Sequence, residues 1–205
     1  MTQFLEAADG HEIEAGCTVG VKTGNDCQPV RLGKDAHIRS GSVIYADVQA
    51  GYDFQTGHNV VIREKTTMGD HVVIGTNTVI DGNVRIGNYV KIMTNCYIPT
   101  HTVIGNRVFL GPNVTLTNDR YPLKMRDNYS PEGPIIEDYV TLSAGVLVCP
   151  GVRVGRNSFV AAGAVVTRDV PPESMAMGVP ARFTPLKDQL REFNVALSWR
   201  RFLNE

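Results

Sequence analysis

Three turns of a six-residue period separate His101 from Asp119. An imidazole oriented by a carboxylate can take a proton from an amine or a hydroxyl during group transfer. The pair works only in a fold that brings the chain back to the same place after that interval. The other reading of His101 is an exposed corner, because histidine visits the left-handed backbone region more often than most residues. Other chemistries have weaker support. The five histidines are His11, His37, His58, His71 and His101, and no two lie closer in sequence than His58 and His71. That is not the clustered spacing of a zinc centre, and no metal is expected. The four cysteines (Cys17, Cys27, Cys96, Cys149) form no C-x-x-C pair, so reduced thiols in a cytoplasmic protein are the simplest reading. Cys96 occupies a position that reads as a buried small residue, and Cys149 carries no activating neighbour in sequence.

Bulk composition narrows the classes further. The chain has 205 residues and a net charge of -1, which gives no sign of nucleic-acid or membrane binding. No apolar run approaches the ~18 residues of a membrane span, and the N-terminus lacks a basic region followed by an apolar stretch.

The frame that gives the His101–Asp119 spacing its significance is a six-residue repeat. From Leu32, every sixth position through Leu116 is aliphatic except Ala50 and Thr56, and the pattern resumes from Ile136 to Val166. Of these 21 slots, 19 are Leu, Ile, Val or Met, so one side of the chain faces a core throughout. A period of six is the mark of a parallel β-helix. The fifth slot also points inward and is small or β-branched, as at Ala36, Val48, Thr66, Thr78, Cys96 and Val114, with Phe54 as the exception. The fourth slot is a corner. Fifteen of its 21 residues are Gly, Asn or Asp, the types that tolerate a left-handed backbone. Three hexads make one triangular coil, and successive coils stack one strand spacing apart, roughly 4.8 Å. His101 and Asp119 are then expected at one corner of adjacent coils.

Residues 1–31 follow the frame loosely and read as an irregular lead-in. The β-helix spans 32–171 in about seven coils, interrupted by an inserted loop at 120–135. Residues 172–205 form an extension. From Pro185 onward, Leu186, Leu190, Phe193, Leu197 and Phe202 place an apolar stripe on a C-terminal α-helix. Corners that break the Gly/Asn/Asp preference in succession (His71, Tyr89, Arg107, Tyr139) read as subunit packing or substrate contacts. Asn59, Asn77, Asn95 and Asn113 recur at every third hexad, as backbone geometry alone would require.

The repeat resembles that of the hexapeptide-repeat acyltransferases, and the likeness covers about residues 30–182. The run VVTRDVPPESMAMGVPAR (165–182) is similar to that family's end-of-helix signature, and VKIMTNCYIPTHTVIGNRVFLGPNVTLTNDRYP (90–122) resembles N-acetyltransferases of nucleotide-linked 3-amino sugars. This likeness implies an all-β, left-handed parallel β-helix and a homotrimer with active sites between subunits. It implies acetyl-CoA as co-substrate, with Ala144, Gly145, Ala162 and Gly163 along the pantetheine arm and Arg168 and Arg182 facing phosphates. It implies a UDP- or dTDP-linked amino sugar as acceptor, destined for surface polysaccharide. Asn95 aligns with an active-site asparagine of that subgroup. Asn118, Arg120 and Tyr121 begin a loop at the site, and His58 and Arg63 are candidates for a pyrophosphate or base. Catalytic roles then fall to His101, Asp119 and Asn95. The alternative is O-acetylation of a sugar, which needs the His101 base more strictly because a hydroxyl is a poor nucleophile unaided. A non-enzymatic scaffold and a carbonic-anhydrase-like protein of the same fold are less favoured readings.

Overall fold

A computed structural model describes residues 4–124, 127 and 130–192. Among them the chain is a left-handed parallel β-helix with three sheets. Sheet 1 runs from Leu5–Ala7 through Val30–Leu32, Arg85–Ile86 and Val103–Ile104 to Arg153–Val154. Sheet 2 runs from Glu12–Ile13 through Lys91–Ile92 to Phe159–Val160, then takes up Ser174–Met177 and Arg182–Pro185. Sheet 3 runs from Thr18–Val21 through Tyr97–Ile98 to Val165–Val166. As far as Leu147–Val148, each strand pairs with the third strand after it, as in Val73↔Lys91 and Val79↔Tyr97. The loose lead-in contributes one strand to each sheet and so forms an additional coil.

The frame translates directly into burial. First-slot side chains such as Ile38, Ile62, Ile92 and Leu116 are fully buried, each removing apolar area worth about 1.5–3 kcal/mol from water. The buried hydroxyls of the fifth slot are satisfied by backbone. Thr78 donates to Met93 O at 2.9 Å, and Thr102 donates to Pro99 O at 2.7 Å.

Corners are left-handed wherever the frame holds. All 21 corner slots except Asp119 and Asp169 have positive φ, between 49° at Asn83 and 77° at Gly41. A side chain with a Cβ costs roughly 1–2 kcal/mol there. His71, Tyr89 and Arg107 offset that cost by stacking on one another. His71 and Tyr89 lie 4.7 Å apart at 15°, and the Arg107 guanidinium sits 4.5 Å over Tyr89. Stacking of about 0.5–1.5 kcal/mol and a cation–π contact of about 0.5–1 kcal/mol are of the same size as the strain. Asp53 completes the column, 3.0 Å from His71 Nδ1. Tyr139 is covered by Arg156 at 5.1 Å. These corners therefore pack within their own column.

The described part of the C-terminal extension, to residue 192, departs from the expected helix. Arg182–Pro185 pairs antiparallel with Ser174–Met177, and a single 3-10 turn follows at Asp188–Leu190. Leu186 is buried, while Phe193, Leu197 and Phe202 lie outside the described residues. The ladder of sheet 2 holds the backbone extended through Pro185, so that no helix begins there.

Candidate active site

Each edge of the prism carries a different set of side chains. Between sheets 2 and 3 the corners are Gly41, Asn59, Asn77, Asn95, Asn113, Gly145 and Gly163. The residues just before them are Ser40, His58, Thr76, Thr94, Pro112, Ala144 and Ala162. Towards the C-terminal coils this edge therefore loses its side chains. Ala144, Gly145, Ala162 and Gly163 are all exposed, and a Cβ added at Gly145 or Gly163 would meet no atom within 4 Å. The result is an open ledge of backbone, one strand spacing tall, with Gly163 N–H donating to Ala144 O at 2.9 Å. Later in the chain, the Arg168 guanidinium lies 5.0 Å over the Phe183 ring, and Arg182 is the residue before that phenylalanine.

Between sheets 3 and 1 the corners include Lys65, Asn83 and His101. Lys65, Thr67, Asn83, Arg85 and His101 line a shallow hollow of about 300 Å³. The expected stacking of Asp119 over His101 does not occur. The backbone of Gly133 occupies that place, so close that a Cβ there would come within 2.3 Å of the His101 carbonyl carbon. The chain leaves the frame at this corner. Glu132 N–H donates to Asn118 O at 2.9 Å and closes the loop, which shortens the expected 120–135 insertion at its C-terminal end. The Asp119 carboxylate instead accepts from Tyr121 N–H at 2.9 Å and caps the loop's first turn. Asn118 Nδ2 donates to Thr100 O at 3.4 Å, and Arg120 reaches Pro150 O at 3.2 Å. These contacts anchor the loop beside His101. Tyr121 remains exposed.

Asn95 and His101 share a coil but sit on different edges, so one chain does not bring them together. His58 and Arg63 are likewise on separate edges. His58 Nδ1 is 2.9 Å from Ser40 Oγ. Arg63 is held by Glu64 at 2.9 Å and Asp81 at 3.5 Å, and the Glu64 hydrogen bond raises its pKa. Those carboxylates compete with any phosphate for its guanidinium.

The third edge, between sheets 1 and 2, carries a side-chain ladder that the corner rule does not announce. The Asp70 side chain accepts from Tyr52 N–H, Asn88 from Asp70 N–H, Asn106 from Asn88 N–H and Asp138 from Asn106 N–H, at 2.7–2.9 Å. Its signal in the sequence is Asp or Asn one position before successive corners.

Cys96 does not serve as a nucleophile. It is buried, its thiol donates to Gly111 O at 3.2 Å, and burial pushes its pKa up to about 11. Iodoacetamide at pH 8 is expected to leave Cys96 unmodified in the folded protein and to alkylate it after unfolding, as read by peptide mass spectrometry. Rapid labelling of the folded protein at Cys96 contradicts this placement.

Comparison with known proteins agrees with the coil frame. The bacterial transferase hexapeptide (six repeats) profile matches residues 83–118 and 133–168, breaking where the loop leaves the frame. The profile for the hexapeptide repeat of succinyl-transferase matches 12–46 and 65–99. Over 77 residues the chain is 43% identical to galactoside O-acetyltransferase of Lactococcus lactis, covering 36% of this chain and 37% of that protein. Over 67 residues it is 42% identical to 2,3,4,5-tetrahydropyridine-2,6-dicarboxylate N-acetyltransferase of Staphylococcus aureus, covering 31% and 28%. These matches thus span less than two fifths of either relative's length. UDP-N-acetylglucosamine acyltransferase of Francisella novicida shares the fold, with a TM-score of 0.56 and 22% identity over 92% of this chain and 73% of that one.

Proposed function

The chain belongs to the bacterial transferase hexapeptide-repeat family, and from that premise we propose an acetyl-CoA-dependent N-acetyltransferase. Its acceptor is the amino group of a UDP- or dTDP-linked sugar used for surface polysaccharide, and it acts in the cytoplasm. The observation that carries this reading is the bare ledge at Ala144, Gly145, Ala162 and Gly163. An amide-bearing pantetheine arm fits against exposed backbone stripped of side chains, and Arg168 and Arg182 are the guanidinium groups assigned to its phosphates. Acetyl-CoA supplies the thioester acyl group. The ledge and Asn95 share one edge, with Asn95 three coils from Gly163, which is roughly 14 Å.

The proposed active unit is a homotrimer. The outer face of sheet 3 is mostly apolar, with Val43, Val61, Val79, Tyr97, Leu147 and Val165 pointing outward beside Thr115, whereas sheet 1 mixes Arg31, Gln49, Thr67, Arg85 and Arg153 with Val103 and Ile135. An apolar face of this extent favours association. Around a threefold axis facing sheet 3, the edge between sheets 2 and 3 of one protomer meets the edge between sheets 3 and 1 of the next. Asn95 and His101 of the partner subunit then flank one groove at the same height. In this reading Asn95 positions the reacting amine or carbonyl, and the imidazole takes the proton. Asn118, Arg120 and Tyr121 bring the loop to the groove's rim.

Likeness to a galactoside O-acetyltransferase favours a second reading, transfer to a hydroxyl. Hydroxyl attack depends more heavily on an oriented base. The Asp119 carboxylate, engaged by Tyr121 N–H, is not placed to orient His101, so the amine is preferred.

The test follows thiol release from acetyl-CoA with a panel of UDP- and dTDP-linked amino sugars and their hydroxyl counterparts. Amino sugars are expected to drive release. Gly163→Asn serves as the internal control, because Asn is accommodated at four corners of the same column. It is expected to raise KM for acetyl-CoA about tenfold by covering the ledge while leaving the melting temperature unchanged. Release only with hydroxyl acceptors, or with none, overturns the reading.

A further inference from the structure

Below Asn95 on the same side of the molecule, a groove of about 500 Å³ opens across sheet 2. Its cause is a gap in one column of side chains. Arg39, Gly57, Gly75 and Met93 stand one above another, one per coil. The two glycines are enforced by the close approach of adjacent coils. A Cβ at Gly57 would lie 2.5 Å from Thr76 N, and one at Gly75 would lie 2.5 Å from Met93 C. Between Arg39 and Met93 the surface is therefore open for three strand spacings, roughly 14 Å.

The lining is chemically one-sided. Arg39, His58 and Lys91 are the groups able to carry positive charge, and among the described residues no carboxylate lines the groove. Val73 and Met93 provide apolar floor. Arg39 gives one contact to Glu14 at 3.2 Å, which uses one of the five donors of a guanidinium. Glu14 itself is held below the usual carboxylate range, chiefly by the Ser40 N–H. Three groups able to carry positive charge on one lining favour an anionic occupant. An apolar floor beside paired cations suits a flat base joined to a diphosphate.

We propose that this groove holds the nucleoside diphosphate of the acceptor, with the base against Val73 and Met93 and the phosphates between Lys91 and Arg39. The proposal rests on the N-acetyltransferase reading and adds the acceptor's seat to it. Thr94 and Met93 line the groove and immediately precede Asn95, so a sugar attached to the diphosphate would extend towards that asparagine. Burial lowers the pKa of Lys91, so a bound anion would favour its charged form again.

Coenzyme A also contains a nucleoside diphosphate, and the experiment separates the two sources. The intact protein is titrated calorimetrically with UDP, dTDP and acetyl-CoA, for wild type, Lys91→Gln, Arg39→Gln and Lys91→Arg. Each glutamine variant is expected to weaken UDP or dTDP about tenfold through loss of a charged phosphate contact. Lys91→Arg should retain most of the affinity, and acetyl-CoA should bind all four proteins within about twofold. Melting curves verify the fold of each variant. Unchanged nucleotide affinity in both glutamine variants, or a loss confined to acetyl-CoA, overturns the proposal. So does wild type that ignores both nucleotides at millimolar concentration. The panel assay keeps the two readings apart. Undiminished nucleotide binding in the variants with active transfer overturns the groove alone. Weakened binding without transfer to any amino sugar upholds the groove and overturns the transferase.

Discussion

His101→Ala and Asn95→Ala are each expected to lower kcat/KM by about a hundredfold, and a mixture of the two chains is expected to regain activity. Removing a general base costs about 10²–10⁴ in rate, and removing a positioned polar group near the reacting carbonyl costs about 10²–10³. The regain follows from the placement of the two residues. They lie on the same coil, at opposite edges of sheet 3, so a single chain holds them apart. Each groove of the proposed trimer takes its asparagine from one protomer and its imidazole from the next. When the variants are co-expressed in equal amounts and assemble at random, about a quarter of the grooves combine an intact asparagine with an intact histidine. The mixture should therefore reach roughly a quarter of wild-type turnover, well above either variant alone. Activity no greater than the mean of the two singles contradicts a shared groove. Near-normal turnover of His101→Ala alone removes that residue from the mechanism.

Phe54→Ala is expected to destabilise the fold by about 3–5 kcal/mol, the usual cost of deleting a buried phenyl ring. Phe54 is fully buried in a slot that elsewhere holds a small or β-branched side chain. The same coil holds Ala50 and Thr56, the two first slots without a large aliphatic. The ring therefore fills volume that two smaller neighbours give up. At about 2–4 °C per kcal/mol for a chain of this size, the melting temperature should fall by about 6–20 °C. Ala50→Leu in the Phe54→Ala background should recover part of that loss, whereas Ala50→Leu alone should destabilise by overpacking. A drop under about 1 kcal/mol for Phe54→Ala would show that the coil closes around the missing ring.

The fold is legible in the sequence because each slot has a separate physical requirement. Aliphatics mark the interior, and Gly, Asn and Asp mark the left-handed corners. Both follow from local backbone and burial, without knowledge of distant contacts. The stacking rule misplaces Asp119 for a definite reason. It presumes an unbroken coil, and the insertion begins within that corner, so Gly133 takes the seat above His101. His71, Tyr89 and Arg107 read as surface exceptions in want of a partner, but each is the partner of its neighbour one coil away. The groove beneath Asn95 is hidden in the sequence because it is made by absent side chains at Gly57 and Gly75, with its cations spread over several coils. Of its lining, only His58 stands out from sequence.

The in-register ladder also makes distance along an edge a quantised variable. Adding or removing three hexads shifts everything above by one strand spacing, roughly 4.8 Å, and leaves the interior in phase. A strand one residue longer or shorter would turn interior side chains out towards solvent, whereas the inserted loop leaves the frame at a corner and Ile136 returns in phase. The span between the ledge at Gly163 and the groove beneath Asn95 can thus change in whole steps only. Donor and acceptor of different lengths can be matched by counting coils, while the chemistry at each step is set by substitutions at corners that the core does not feel.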